Sequence, residues 1–406
     1  YPKQTGVERL RKKNVIASII ALSLLLMSGQ ALNPGLARLM AEYGVSESAV
    51  MLLVTIPPLA VIPGTFIGSL ILRHFTKKAV GIAASLLITV CGTLPVMIDN
   101  FTIVLVTRFL VGIGLGFLNC VTPGLPSDYY PPGDLRETAN GIHGAFAGGG
   151  GLIFSSIAGW LCSIRVKAIY LVYLICLIPA VVVYLTLPSR PEITDPSSES
   201  GNDVKTRADD GSGKAFDRRI LSYAVKIFIF LLFSISMSMN MSQLVEGYGI
   251  GTVADVGIIM AIFSVGGFLV GFTFSRIKKA LGKYTLSAGT VLSAAGILLV
   301  VLTRSIPIYC IGSLTSGIGL NIFITSCVSD IGNKFRAESR TLSFAILMSA
   351  NHFAQFLSPL VLNPLNALFG GNTVTKLLIA SLMLFAFGIF LFIFPDAGTR
   401  TRQQAK

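Results

Sequence analysis

Residues 101–126 read FTIVLVTRFLVGIGLGFLNCVTPGLP, an apolar run as long as a bilayer is thick, broken by a single charge at Arg108. A membrane-crossing helix needs roughly 20 mostly apolar residues. This run is the fourth of twelve such stretches, which we number helices 1 to 12 at residues 14–37, 47–72, 78–98, 101–126, 138–161, 167–188, 220–244, 252–275, 281–303, 305–328, 341–363 and 374–394. Composition agrees with the count. The chain is 53% hydrophobic and 13% charged, whereas soluble chains carry about 25% charged residues. The expected fold is therefore an all-α integral membrane protein with twelve transmembrane helices.

The charge pattern sets the expected orientation. With both termini cytoplasmic, the outside segments collect only Arg38, Arg165, Lys167, Arg304 and Lys376. The rest of the 32 Lys and Arg, apart from Arg108 and Lys226 within helices, fall inside. That bias is the positive-inside rule. The net charge of +13 is thus a topology signal and gives no reason to expect a nucleic-acid partner. The expected setting is multi-pass in a plasma membrane, among membrane lipids. Short outer loops and compact size suggest a bacterial inner membrane and a monomer. The six cysteines lie in or beside apolar segments without paired spacing and read as small core residues. The first apolar stretch is too long for a signal-peptide core and is expected to be retained. Asn100-Phe101-Thr102 has a glycosylation pattern but abuts the membrane, so no weight rests on it.

Residues 189–219 change character, with Pro191, Pro196, Gly201, Gly211, Gly213 and many charges. They read as a solvated linker between a bundle at 1–188 and a second at 220–406. The two halves resemble each other. Gly112-Ile113-Gly114-Leu115 in helix 4 returns as Gly317-Ile318-Gly319-Leu320 in helix 10; Asp128 and Arg136 follow the first, and Asp330 and Arg336 the second. Two similar halves that rock about a central site are a transporter's organisation.

On these residues the chain resembles the major facilitator superfamily. Arg108-Phe109-Leu110-Val111-Gly112-Ile113-Gly114 is similar to that family's helix-4 motif, and Pro131 to Glu137 is similar to its loop with an Arg opening helix 5. Gly68-Ser69-Leu70-Ile71-Leu72-Arg73 is similar to its signature between helices 2 and 3, although Leu72 stands where the family has Asp. Gly271 to Arg276 lacks the Asp as well. Helix 5 also lacks the Gly-Pro of proton-coupled drug antiporters. The resemblance implies two pseudo-symmetric six-helix bundles and alternating access. It implies gating or structural roles for Gly68, Arg73, Asp128, Arg136, Arg276, Asp330 and Arg336, and His143 joins them as a candidate for a network at a helix end.

A charge within the bilayer costs about 2.5 to 3.5 kcal/mol on insertion scales, so one that persists is a functional candidate. Arg108 is that residue. The resemblance implies that it can brace helices 1, 4 and 5; the other reading is contact with an anionic substrate. All 19 carboxylates sit in loops or at helix ends, which favours neutral or anionic cargo over cations. Gln30 with Asn33 and Asn240 with Gln243 are paired at i, i+3, so each pair shares a helix face. With Gln355 they are the candidates to orient a substrate, although hydrogen bonding between helices would explain them equally. His352 shares a face with Gln355 and is the candidate for proton coupling; a buried neutral histidine is its plainer reading. Lys226 is expected to snorkel to the interface. Gly112, Gly114 and Gly116 in helix 4 and Gly144 and Gly148 to Gly151 in helix 5 are expected to permit close packing, and Pro57, Pro58, Pro63 and Pro359 to supply kinks.

No nucleotide loop, metal cluster or nucleophile triad is legible, and no cofactor or enzymatic activity is expected. The sequence thus points to a secondary transporter for a small organic anion or amphiphilic acid, with protons as a candidate coupling ion. Efflux of drugs or lipophiles is the alternative within transporters. A membrane receptor or scaffold that binds without translocating is the alternative outside them.

Overall fold

The computed structural model describes residues 6–130, 134–188, 219–335 and 337–394. Among these, every regular element is helical. Eleven continuous stretches are long and apolar enough to cross a membrane. One of them, Val253–Leu302, has 50 residues, twice what one crossing needs. It is two helices, Val253–Leu281 and Thr285–Leu302, joined by a short 3₁₀ turn at Gly282–Tyr284. Gly282 takes φ +52° there, a left-handed conformation that costs glycine little. The described chain therefore makes twelve crossings, and helices 8 and 9 follow one another with almost no loop. The expected linker lies outside the described residues except for Arg219, which opens helix 7.

Helix ends follow short polar signals. Ser46, Thr76, Asn100 and Asn372 each accept a backbone N–H of the turn they open, starting helices 2, 3, 4 and 12. The side chain of Asn100 is thus a helix cap. Bulky apolar residues such as Phe66, Trp160, Leu185 and Ile389 face outward. The solvent for such a surface is hydrocarbon, so what distinguishes the interior is small residues and close approach.

Helix 1 is not continuous. An α-helix over Gly6–Leu25 gives way to 3₁₀ turns at Ser28–Gln30 and Asn33–Gly35, and Leu36–Tyr43 resumes the α-helix. Pro34 lacks the N–H that would continue the ladder. Helix 6 departs more strongly, since its first eleven residues, Val166–Cys176, form a 3₁₀ helix. Three residues per turn place i, i+3 and i+6 in line, and so Lys167, Tyr170, Tyr173 and Cys176 make one row, all buried.

The chain forms two compact units: Tyr1–Ser212 with Met241–Ser264, and Gly213–Asn240 with Val265–Lys406. Each packs its repeated Gly-x-Gly in the same way. In the first unit Gly112 lies against Pro57 and Ala60 of helix 2, and Gly114 against Ile88 of helix 3. In the second, Gly317 lies against Gly266 of helix 8, and Gly319 against Gly289 and Ser293 of helix 9. The repeat in sequence is thus a repeat in packing.

The matched acids repeat as well. Asp128 Oδ2 pairs with Lys77 Nζ at 2.7 Å. Asp330 Oδ1 pairs with Lys278 Nζ at 2.7 Å, and its Oδ2 accepts the Tyr223 hydroxyl at 3.0 Å. Asp330 is the more deeply held of the two. Truncating it removes the acceptor of the Tyr223 hydroxyl bond and the ion pair of Lys278, whose ammonium keeps its bond to Ser329 Oγ at 2.8 Å, and hydrogen bonds to charged groups contribute about 1.5–3 kcal/mol. Asp330→Ala should therefore lower thermal stability in detergent by the equivalent of about 2 kcal/mol. Asp128→Ala should cost less, about 1 kcal/mol. Equal melting temperatures for the two variants would refute this ranking.

Candidate functional site

Arg108 is fully buried in the first unit. Helix 4 presents it to the row on helix 6, where its Nη1 donates to the Tyr173 hydroxyl at 2.6 Å and the guanidinium lies 4.6 Å from the centre of the Tyr173 ring. Tyr173 in turn donates to the Ser28 carbonyl at 2.8 Å, a group in the first 3₁₀ turn of helix 1. Gly92 of helix 3 gives Tyr173 its seat, for a Cβ there would overlap the ring. One arginine nitrogen is therefore tied through a tyrosine to the break in helix 1.

The other two groups of the guanidinium have no such tie. Nε and Nη2 are buried without a hydrogen-bond partner, and so is the Ser28 hydroxyl. Among the described residues no carboxylate pairs with Arg108; Cys91, Tyr170, Tyr173 and Cys176 lie within its electrostatic reach. An arginine stays protonated in any protein environment. A buried cation with neutral neighbours is costly unless something supplies the opposite charge.

The same helix 6 row continues away from Arg108. Tyr170 receives the Tyr43 hydroxyl at 3.3 Å, and Lys167 bonds Asp99 and lies 4.0 Å from Glu42. Asp99, in the turn before helix 4, has its pKa lowered by the hydrogen bond from Lys167 and by that residue's charge.

Further along helix 1, Arg38 Nε donates to Glu246 Oε1 at 2.7 Å and its Nη1 to the Cys162 carbonyl at 3.2 Å. The Ala37 N–H donates to Ser242 Oγ at 3.1 Å. Asn33 Oδ1, both amide atoms of Gln243, and Glu246 Oε2 are buried and unpartnered nearby in sequence. Gln30 is half-buried. Asn33 and Gln243 thus lie, as polar groups with bonding capacity to spare, on two segments of the first unit joined by an ion pair.

The remaining expected residues are held elsewhere. Asn240, in the second unit, donates to the Ser236 carbonyl at 2.7 Å and accepts Lys376 Nζ at 3.2 Å. Lys376, expected outside, is 2% exposed within helix 12. Gln355 donates to Asn351 at 2.8 Å, one turn back, and His352 keeps a buried Nδ1 without a partner. His143 Nδ1 meets Ser23 Oγ at 2.7 Å, which joins helices 5 and 1. Gly68 allows helix 2 to approach Phe117 and Cys120 of helix 4, and Arg136 Nε donates to the Tyr130 carbonyl. Arg73 and Arg276 are exposed. Lys226 is half-buried, with Nζ over the Tyr223 ring. Arg336 lies outside the described residues.

Three participants escaped the sequence reading: Tyr173, the Ser28 carbonyl and the Arg38–Glu246 pair. Tyr170 and Tyr173 stand at i, i+3 in an apolar helix, but at the α-helical period they do not align with Lys167 and Cys176. Only the 3₁₀ geometry makes the row.

Twelve apolar helices in two similarly packed units, with one buried guanidinium among the described residues, define a polytopic membrane protein of transporter architecture. The family model described as Major Facilitator Superfamily matches residues 18–359, and the chain belongs to that family of transporters. No curated protein sequence matches it. Solved structures share its fold at low identity. A bacterial homologue of the human lysosomal transporter Spinster, inward-facing and unoccupied, matches at TM-score 0.68 and 13% identity, covering 95% of each chain. A POT family transporter in complex with 5-aminolevulinic acid matches at TM-score 0.72 and 13% identity, over 95% of this chain and 96% of that one. The human organic anion transporter MFSD10 (TETRAN) matches at TM-score 0.64 and 14% identity, over 95% and 99%.

Proposed function

We propose that the protein is a secondary transporter that carries a small organic anion or amphiphilic acid across a plasma membrane by alternating access. The observation that carries this reading is Arg108: a fully buried guanidinium with Nε and Nη2 free and no acid paired to it among the described residues. A ligand's negative charge would compensate it, and a buried charge-assisted hydrogen bond is strong. In this reading Arg108 binds the anionic group and Tyr173 holds the guanidinium in place. Gln30, Asn33 and Gln243 contribute polar contacts from helices 1 and 7. Asn240 and Gln355 are engaged with their own neighbours, which favours a structural role for both. His352 remains the candidate for proton coupling on the strength of its unpartnered ring nitrogen. The Lys and Arg distribution supports cytoplasmic termini, as in a bacterial inner membrane.

A ligand that binds the folded state raises its apparent stability by mass action, about 2.7 kcal/mol at a hundredfold excess over Kd. Thermal unfolding of the detergent-purified protein against panels of organic anions, cations and neutral lipophiles should give stabilisation by anions, absent in Arg108→Ala. Stabilisation by lipophiles or cations that survives Arg108→Ala would overturn the reading in favour of efflux.

A further inference from the structure

The guanidinium of Arg108 presents one particular edge. Its three donor groups are Nε, Nη1 and Nη2. Nη1 donates to Tyr173, and the ring of the same tyrosine lies against the guanidinium. Nε and Nη2, the two donors left over, are the pair whose N–H bonds run parallel along the side of the plane. That side-on fork matches two oxygens on one planar carbon, the bidentate pairing typical of arginine with a carboxylate. A lysine in the same place would offer a point charge with no fork.

Charge narrows the ligand further. Arg108 is 0% exposed, and the groups within its electrostatic reach, Cys91, Tyr170, Tyr173 and Cys176, are neutral thiols and phenols. One positive charge in that setting balances one negative charge. A second negative charge would be buried without a partner, at a cost that grows as water is excluded. A phosphate monoester carries about 1.5 to 2 negative charges near neutral pH and a dicarboxylate two, so both exceed what this site compensates.

The buried neighbours of Arg108 at helical spacing on helix 4 are apolar. Val104, Val111 and Leu115 on helix 4 are buried, and Gly29 of helix 1 lies against Leu115 and Pro57. The interrupted stretch of helix 1, Ser28–Gln30, carries the carbonyl that fixes Tyr173 and an unpartnered Ser28 hydroxyl.

Resting on the anion reading above, we infer that the ligand group taken by Arg108 is a single carboxylate on an apolar body, gripped side-on by Nε and Nη2, and that the site discriminates against dianions and against tetrahedral acids. The Ser28 hydroxyl is the further donor available to that carboxylate.

The test uses one eight-carbon scaffold with different head groups. Binding of octanoate, octane-1-sulfonate, octylphosphonate, suberate and octanamide to the purified full chain is measured by calorimetry and by thermal shift at constant ionic strength. Octanoate should bind at least tenfold tighter than each of the others, and Arg108→Lys should weaken octanoate at least tenfold. The second comparison keeps the charge and removes the fork. Should Arg108→Lys fail to fold, the head-group series on the unsubstituted protein still decides. Sulfonate or phosphonate binding equal to octanoate would overturn the carboxylate assignment and leave the anion reading standing. Octanamide binding as well as octanoate would overturn both. No binding by octanoate, or by the shorter acids acetate and butyrate, would overturn the assignment to a carboxylate.

Discussion

Arg108→Met should purify as a folded protein of stability similar to that of the unsubstituted one, and should lose transport by at least about 100-fold. The two halves of that expectation come from the same geometry. Two of the three guanidinium donor groups are buried without acceptors, and no acid among the described residues balances the charge. Replacing buried charges by well-packed apolar side chains is often neutral, or stabilising by about 1–4 kcal/mol. Against this stands the bond from Nη1 to Tyr173, which contributes about 1.5–3 kcal/mol as a charge-assisted pair. Tyr173 keeps its own acceptor, the Ser28 carbonyl, so the substitution leaves no hydroxyl stranded. The two contributions are of similar size, so the net change in stability is expected to lie within about 3 kcal/mol of zero. Transport falls because methionine has neither charge nor donors for an anion. A pure brace would behave oppositely, with a melting temperature lowered by several degrees and residual flux in proportion to folded protein. Thermal unfolding and uptake measured on the same preparation separate the two.

Gly116→Val should abolish folded protein. Helices 2 and 4 approach until a Cβ at Gly116 would stand 2.5 Å from the carbonyl carbon of Gly64. A Cβ at Gly64 would in turn stand 2.8 Å from the Ile113 carbonyl oxygen and 2.9 Å from its Cα. Both obstacles are backbone, which does not rotate aside. Overpacking a core typically costs about 1–3 kcal/mol, and here the helices themselves must separate, forfeiting the contacts that hold a bundle together in lipid. The loss expected is upward of about 3 kcal/mol, a large part of any domain's stability. Size-exclusion chromatography in mild detergent checks it. A monodisperse Gly116→Val protein would show that the crossing of helices 2 and 4 tolerates a wider spacing.

Glycine at that position was legible as a packing residue because Gly112, Gly114 and Gly116 recur in one apolar run, and so was the repeat at Gly317 and Gly319. The twelve spans were legible for a simpler reason: hydrophobic length is a property of composition and survives any ignorance of tertiary structure. Arg108 stood out because a charge in such a run is expensive. Its partners did not. Tyr173 is 65 residues away in sequence, and nothing in an apolar helix announces that its first half winds as 3₁₀ and aligns Lys167, Tyr170, Tyr173 and Cys176. Periodicity read at 3.6 residues turns the two ends of that row, Lys167 and Cys176, to opposite sides of the helix.

Lys376 and Asn240 show the same limit from the other side. Lys376 was expected at the outer end of helix 12; Asn372 caps that helix, and Lys376 is buried in its first turn, bonded to Asn240. An amide expected to face a cavity is thereby engaged by a lysine that no sequence pattern links to it. Arg38 and Glu246 likewise meet across 208 residues; each was visible near a helix end, and only the fold brings them into one ion pair.

Counterflow in proteoliposomes tests the central claim most directly. Vesicles loaded with an excess of an unlabelled organic acid that stabilises the protein, then diluted into the labelled acid, should accumulate label transiently through the unsubstituted protein and not through Arg108→Met. Saturable binding of the acid without any counterflow would contradict the account and make the protein a membrane receptor instead.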